Sequence, residues 1–205
     1  IDDIANLRRD FTANSTVTID GGVPDTNVVL GSLIIGDTTG NQSLTINGGT
    51  ITFDTSGANS VLTMENGGNN VTINSNIEIN DTLDITINDG SNNQGIVLGT
   101  GGVKSGGVNG TTTMTINDGS AGGMNWVILR GANTFEGQIQ VNSGTLRLET
   151  DLKAAGAVGV GNETIVMPGG SVDLRNLDLN ISGQDDTEIF QISGFGYAGN
   201  GNGAI

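Results

Sequence analysis

Apolar and polar residues alternate along this chain in short runs, and most runs end at glycine, asparagine or aspartate. The clearest stretch is Leu-Arg-Gly-Ala-Asn-Thr-Phe-Glu-Gly-Gln-Ile-Gln-Val-Asn-Ser-Gly-Thr-Leu at 129–146. Ile139 and Val141, then Leu146 and Leu148, occupy every second position, the period of a strand with one face turned to a core. Gly131, Gly137 and Gly144 stand where the chain must turn, since glycine enters positive-φ conformations without a Cβ penalty. The stretch reads as strand, turn, strand, turn, strand, which is one coil of a β-solenoid.

Similar runs recur at 16–19, 28–35, 44–46, 51–53, 61–64, 71–73, 77–79, 83–87, 96–98, 114–116, 126–129, 164–167, 172–174, 177–181 and 188–192. Turn signals at about eight to twelve residue intervals mark an all-β chain. Related phrases return as Thr-Ile-Asn-Gly-Gly at 45–49 and Thr-Ile-Asn-Asp-Gly at 86–90 and 115–119, as expected of stacked coils with variable loops. Asn-Gly and Asp-Gly also make hairpin turns, so a hairpin-rich sandwich is the competing fold. A sandwich usually packs aromatic residues between its sheets and carries proline in its loops. Only 2 Pro, 1 Trp, 1 Tyr and 5 Phe are present here, so the solenoid is favoured. Coils of roughly 20–25 residues would give about eight to ten turns and a rod of roughly 40–50 Å.

Composition shapes that core. Glycine makes up 35 of 205 residues, against roughly 7% on average, and the interior must be built from Ile, Val, Leu and Met. Abundant Gly, Asn and Ser also fit a disordered chain, but here the apolar residues recur in ordered alternation. With 7 Lys plus Arg against 22 Asp plus Glu, the net charge of −15 disfavours nucleic acid and anionic membrane surfaces as partners. Cysteine and histidine are both absent, which removes disulfides, thiol chemistry, the usual zinc ligands and the commonest general base. No apolar run approaches the length of a membrane span, so membrane insertion of this segment is not expected.

The chain is expected to form a single β-solenoid domain over 1–205, or a fragment of a longer one. Ile4, Leu7 and Phe11 fall at helical spacing, which predicts an N-terminal cap within 1–14; a loop or strand leading into 16–19 fits the same residues equally well. Residues 194–205 are Gly- and Asn-rich and show no capping pattern, as if a neighbouring coil or protomer completed that end.

The stretch at 129–146 resembles the autotransporter-associated β-strand repeat of bacterial passenger domains and surface proteins. That family's phrase is met by Leu129, Gly131, Asn133, Thr134, Phe135, Gly137, Ile139, Val141, Gly144 and Leu146. A looser match runs through the small-residue link at 154–161 and on to Leu174, so that 129–175 is the best-matching repeat. Segments 33–37, 48–54 and 76–79 are similar in style. The resemblance implies a right-handed single-stranded parallel β-helix, secreted or displayed on a bacterial cell surface. The chain departs from the family picture in having one strong repeat copy and no translocating barrel.

Parallel β-helices also host polysaccharide lyases and glycosidases, so a carbohydrate-active enzyme is the alternative function. A lyase needs a base beside its substrate and commonly calcium held by clustered acids. Arg8, Arg9, Lys104, Arg130, Arg147, Lys153 and Arg175 are dispersed, and Arg147 and Arg175 occupy outward strand positions. Paired carboxylates would serve a glycosidase. Asp2 with Asp3 and Asp185 with Asp186 are the adjacent pairs, but neighbours on a strand point to opposite faces and turn aspartates usually bond local backbone. Asp54 and Asp84 read as outward positions. The glycine runs at 101–107 and 199–203 lack the register of calcium-binding nonapeptides or of a phosphate loop, leaving only adventitious calcium at acidic turns. Thr16 with Thr18 and Thr50 with Thr52 carry an ice-binding style spacing, without the repetition in every coil that such a surface requires. No catalytic, cofactor-binding or metal residue is therefore assigned. The expected function is a non-enzymatic extracellular stalk, fibre subunit or adhesive segment. Its expected partners are copies of itself joined end to end, and a glycan or host cell-surface ligand; the irregular segment 99–110 is the candidate site for such a ligand, although a plain connector is the favoured reading of those residues.

Overall fold

The computed structural model is all-β and describes residues 2–19, 26–37, 42–65, 70–88, 90, 94–99, 103–105, 112–120, 125–130, 133–149, 155, 161–175, 177 and 188–194. The first strands in chain order are β1 (Ile4–Arg9), β2 (Ser15–Thr18), β3 (Asn27–Leu30), β4 (Ser32–Asp37), β5 (Leu44–Asn47), β6 (Thr50–Phe53) and β7 (Ser60–Glu65). They continue with β8 (Val71–Ile73), β9 (Asn76–Ile79), β10 (Leu83–Asn88), β11 (Gly95–Leu98), β12 (Val103–Ser105) and β13 (Met114–Asp118). The rest are β14 (Trp126–Leu129), β15 (Ile139–Val141), β16 (Gly144–Leu148), β17 (Thr164–Val166), β18 (Gly170–Asp173) and β19 (Phe190–Ile192).

Every third strand in the first four coils returns to the same face. The first sheet runs β1-β4-β7-β10-β13-β15-β17-β19, the second β2-β5-β8-β11-β14-β16-β18, and the third β3-β6-β9-β12. The strand pairs are all parallel. The chain is a parallel β-solenoid. Seven spacings across its tallest sheet give a height of about 34 Å.

Register explains why so thin a core holds. Along the first sheet Leu33, Leu62, Ile85, Ile116, Val141 and Val166 stack in one inward row, each on its partner in the next coil, and none is more than 2% exposed. A second inward row in the facing sheet runs Ile46, Ile73, Leu98, Leu129 and Leu148. Phe53 and Ile79 close the third side. Each such side chain contributes about 1.5–3 kcal/mol by burial, and alternation supplies one at every second strand position.

Two expectations need correction, and one open alternative is decided. Partners in the first sheet lie farther apart than 20–25 residues at most steps: Leu33 pairs with Leu62, and Ile85 with Ile116. Three-faced coils with loops at their corners consume more chain, so the eight strands of the tallest face mark seven steps and about 34 Å, short of the eight to ten turns and roughly 40–50 Å expected. The run at 28–35 is two strands, because the chain bends at Gly31 and the inward phase shifts from Val28 and Leu30 to Leu33 and Ile35. Of the two readings left open for the N-terminal segment, the strand is the one found, as β1. Ala5 and Leu7 face inward while Ile4 is 68% exposed, so the apolar residues at helical spacing do not share a face. The open edge of β4 offers six register partners, more support than a short isolated helix can find in water.

Candidate functional site

The residues that match the repeat phrase are placed in the fold as structural parts. Leu129, Phe135, Ile139, Val141 and Leu146 are buried in the core, and Asn133 is buried beside them. Thr134 is exposed. Gly137 and Gly144 adopt φ of +137° and +79°. A Cβ on Gly137 would collide with the Thr112 carbonyl, and one on Gly144 would come within 2.9 Å of the Asp118 Cβ. Gly131 lies outside the described residues. The phrase thus encodes a coil that packs closely on its neighbours.

Charged side chains on the outer faces are tied from coil to coil. Arg8 pairs with Glu65 across Gly36, which lies between them in the register. Arg9 lies over the Phe11 ring. Arg130 Nε donates to Glu149 at 2.6 Å, and Arg147 Nε donates to Asp173 at 2.8 Å, one rung above it in register. Arg147 also stacks 4.7 Å from the Trp126 ring, and Arg175 reaches the same Asp173 at 3.6 Å. Thus every described arginine has a partner. The Lys104 side chain and Lys153 lie outside the described residues.

Acidic residues follow the same rule. Asp84 accepts from Asn59 Nδ2 at 2.9 Å and from the Thr115 hydroxyl, and Asp54 accepts from Asn80 Nδ2 at 3.1 Å. At the corner after β13, Asp118 takes the Ser120 N–H and hydroxyl and the Asn125 N–H, closing a loop on itself. Amide side chains form rungs too: Asn74 donates to Asn47, and Asn142 to Asn117, both at 2.9 Å. Asp185 and Asp186 lie outside the described residues, as does most of 99–110. Among the described residues no group of three or more His, Cys, Asp or Glu could hold a metal ion, and no helix is long and apolar enough to cross a membrane.

Threonines do not form a regular array. Thr16, Thr45 and Thr72 stack in the second sheet, but Val97 and Ile128 continue that row. Thr52 is buried and bonded to Asn27 Oδ1 at 2.8 Å. A groove of about 460 Å³ opens between β1 and β2, where the N-terminal coil leaves Leu7, Phe11 and Val17 partly uncovered beside Arg9 and Ser15.

One pair of carboxylates escapes the reading of sequence motifs. Glu163 and Glu188 precede β17 and β19, one coil apart. The Gly161 N–H and Gln138 Nε2, each at 3.0 Å, hold Glu163 below the usual carboxylate range. Burial pushes Glu188 up to about 7, against the pull of a bond from the Thr164 hydroxyl at 2.6 Å, with the neighbouring Glu163 charge adding to the rise. Divergent acidities are what an acid and base pair requires. Both oxygens of Glu163 are nevertheless engaged, and Glu188 Oε2 is buried with no partner. No sequence signal marks the pair: Glu163 stands one residue before β17 and Glu188 two before β19, so they do not share a register position.

Comparison with protein-family models, with curated proteins and with solved structures finds no match for this chain. Fold and surface define it as an acidic parallel β-solenoid whose polar side chains bind coil to coil.

Proposed function

We propose that this chain is a non-enzymatic, extracellular structural segment of a bacterial surface protein, a stalk or fibre unit that presents a long acidic face. The observation that carries this reading is where its chemistry-bearing side chains go. Arg8, Arg130 and Arg147 meet carboxylates of other coils, while Arg9 and Arg175 are engaged locally by Phe11 and Asp173, so none of the described arginines stands free. The repeat-phrase residues likewise serve packing. The resemblance of 129–146 to autotransporter-associated repeats supports export and display.

Among the described residues, β1 and β19 each pair on one side only, and an unpaired sheet edge accepts another strand. End-to-end association of copies is therefore part of the proposal. Negative-stain imaging across a concentration series tests it: rods should lengthen in steps of about 34 Å as concentration rises. Monodisperse rods one chain long at high concentration would overturn the fibre reading.

A further inference from the structure

The inward row that passes through Leu83, Met114 and Ile139 changes character at the far end of the first sheet, where it reaches Thr164. Thr164 is fully buried, and its hydroxyl donates to Glu188 Oε1 at 2.6 Å. That bond draws the Glu188 carboxyl against the interior of the last described coil. Its other oxygen is shut away from solvent without a hydrogen-bond partner. Among the described residues no cation pairs with Glu188. The titratable group beside it, just before β17, is Glu163, fixed by Gly161 and by the neutral Gln138 that precedes β15. Asp185 and Asp186 precede it in the chain, outside the described residues. A carboxylate here would sit desolvated beside another carboxylate, whereas a carboxylic acid would sit without charge.

We infer that Glu188 makes the closing of the last described coil pH-dependent: β19 docks on β17 while the carboxyl is protonated and loosens when it ionises. Burial, which raises this acid from 4.5 to about 7, sets the window. With a folded-state pKa above the unfolded one, the stabilisation is complete below 4.5 and is lost as pH rises through 7. β19 is the end strand of its sheet, paired only with β17 among the described strands, so the loss falls on that contact first.

Hydrogen exchange of two amides reads the contact directly. Ser193 N–H donates to the Val166 carbonyl at 2.8 Å, and Thr164 N–H to the Ile189 carbonyl at 3.0 Å; Asn142 N–H, bonded to Ile116, is the internal control. After correction for intrinsic exchange, opening at Ser193 and Thr164 should rise roughly 25- to 70-fold from pH 5 to pH 8, with Asn142 unchanged. Glu188→Gln should flatten the response. Thr164→Val, which removes the bond to the ionised form while keeping the side-chain volume, should move the midpoint to higher pH. Equal opening of the wild-type amides at pH 5 and pH 8, an unaltered response in Glu188→Gln, or an unmoved midpoint in Thr164→Val would each overturn the inference.

Discussion

Gly137 puts the repeat phrase to a quantitative test. Its φ of +137° belongs to a region that side-chain-bearing residues rarely adopt, and its missing Cβ leaves room for the Thr112 carbonyl of the coil before it. Neither neighbour can step aside easily. The Thr112 hydroxyl donates to the Glu136 carbonyl at 3.2 Å, and Gly137 N–H donates to Asn162 Oδ1 of the next coil at 2.6 Å. Met114 N–H donates to the Gln138 carbonyl at 2.9 Å. Gly137→Ala must therefore spread two coils as well as strain the backbone. The strain costs about 1–2 kcal/mol. One or two displaced hydrogen bonds, at about 1 kcal/mol each, and looser packing around buried Phe135 bring the loss to about 3–5 kcal/mol. Gly57 is the control, with φ +107° and nothing within 4 Å of its missing Cβ. There Gly57→Ala carries the strain alone, offset by about 0.4–1 kcal/mol of reduced freedom in the unfolded chain. Urea unfolding followed by far-UV circular dichroism, at matched m-values, measures both. If Gly137→Ala loses no more stability than Gly57→Ala, close approach between coils is not why the phrase requires glycine.

Other substitutions probe the rows and ladders. Leu62→Ala empties a fully buried site between Leu33 and Ile85, and chemical denaturation should show a loss of about 2–5 kcal/mol. A double-mutant cycle on Arg147 and Asp173, both partly solvated, should return a coupling of about 1 kcal/mol or less that shrinks in high salt. A coupling that ignores salt would contradict the view that these ladders lie in water. Overall stability should decline between pH 4.5 and pH 8 as Glu188 ionises in the folded protein. The full shift corresponds to about 3 kcal/mol, and partial contact with solvent reduces the expectation to about 2 kcal/mol. Thermal melts of wild type and Glu188→Gln check it, with the pH response confined to the wild type.

Strands were legible in this sequence because burial follows the alternation that marks them. Ile139 and Val141, or Leu83, Ile85 and Ile87, are apolar in sequence and buried in the structure for one reason, that a strand turns alternate residues to the same side. Coil length was harder to read, because it depends on loops that alternation does not describe. On the second sheet Ile96 pairs with Val127, 31 residues on, yet Val127 pairs with Leu146, 19 residues on. The repeat stretch itself spans that shortest step, so its internal spacing understates the coil. Strand β1 was ambiguous because Ile4, Leu7 and Phe11 satisfy a helical period, and only the open edge of β4 decides between the two.

The surface was least legible, for the same reason. Arg147, Asp173 and Trp126 look unrelated along the chain and become one stack only when register places their coils together. Glu163 and Glu188 needed one step more. They stand one residue before β17 and two before β19, so even the 26-residue step between those strands does not align them, and their opposite acidities are further from view. Those depend on Gly161 and Gln138 holding one carboxylate while Thr164 draws the other into the interior. In a solenoid, chemistry is a property of the stack, so a motif confined to one coil reports the fold before it reports function. The experiments that decide function must therefore perturb contacts between coils, as at Gly137 and Glu188.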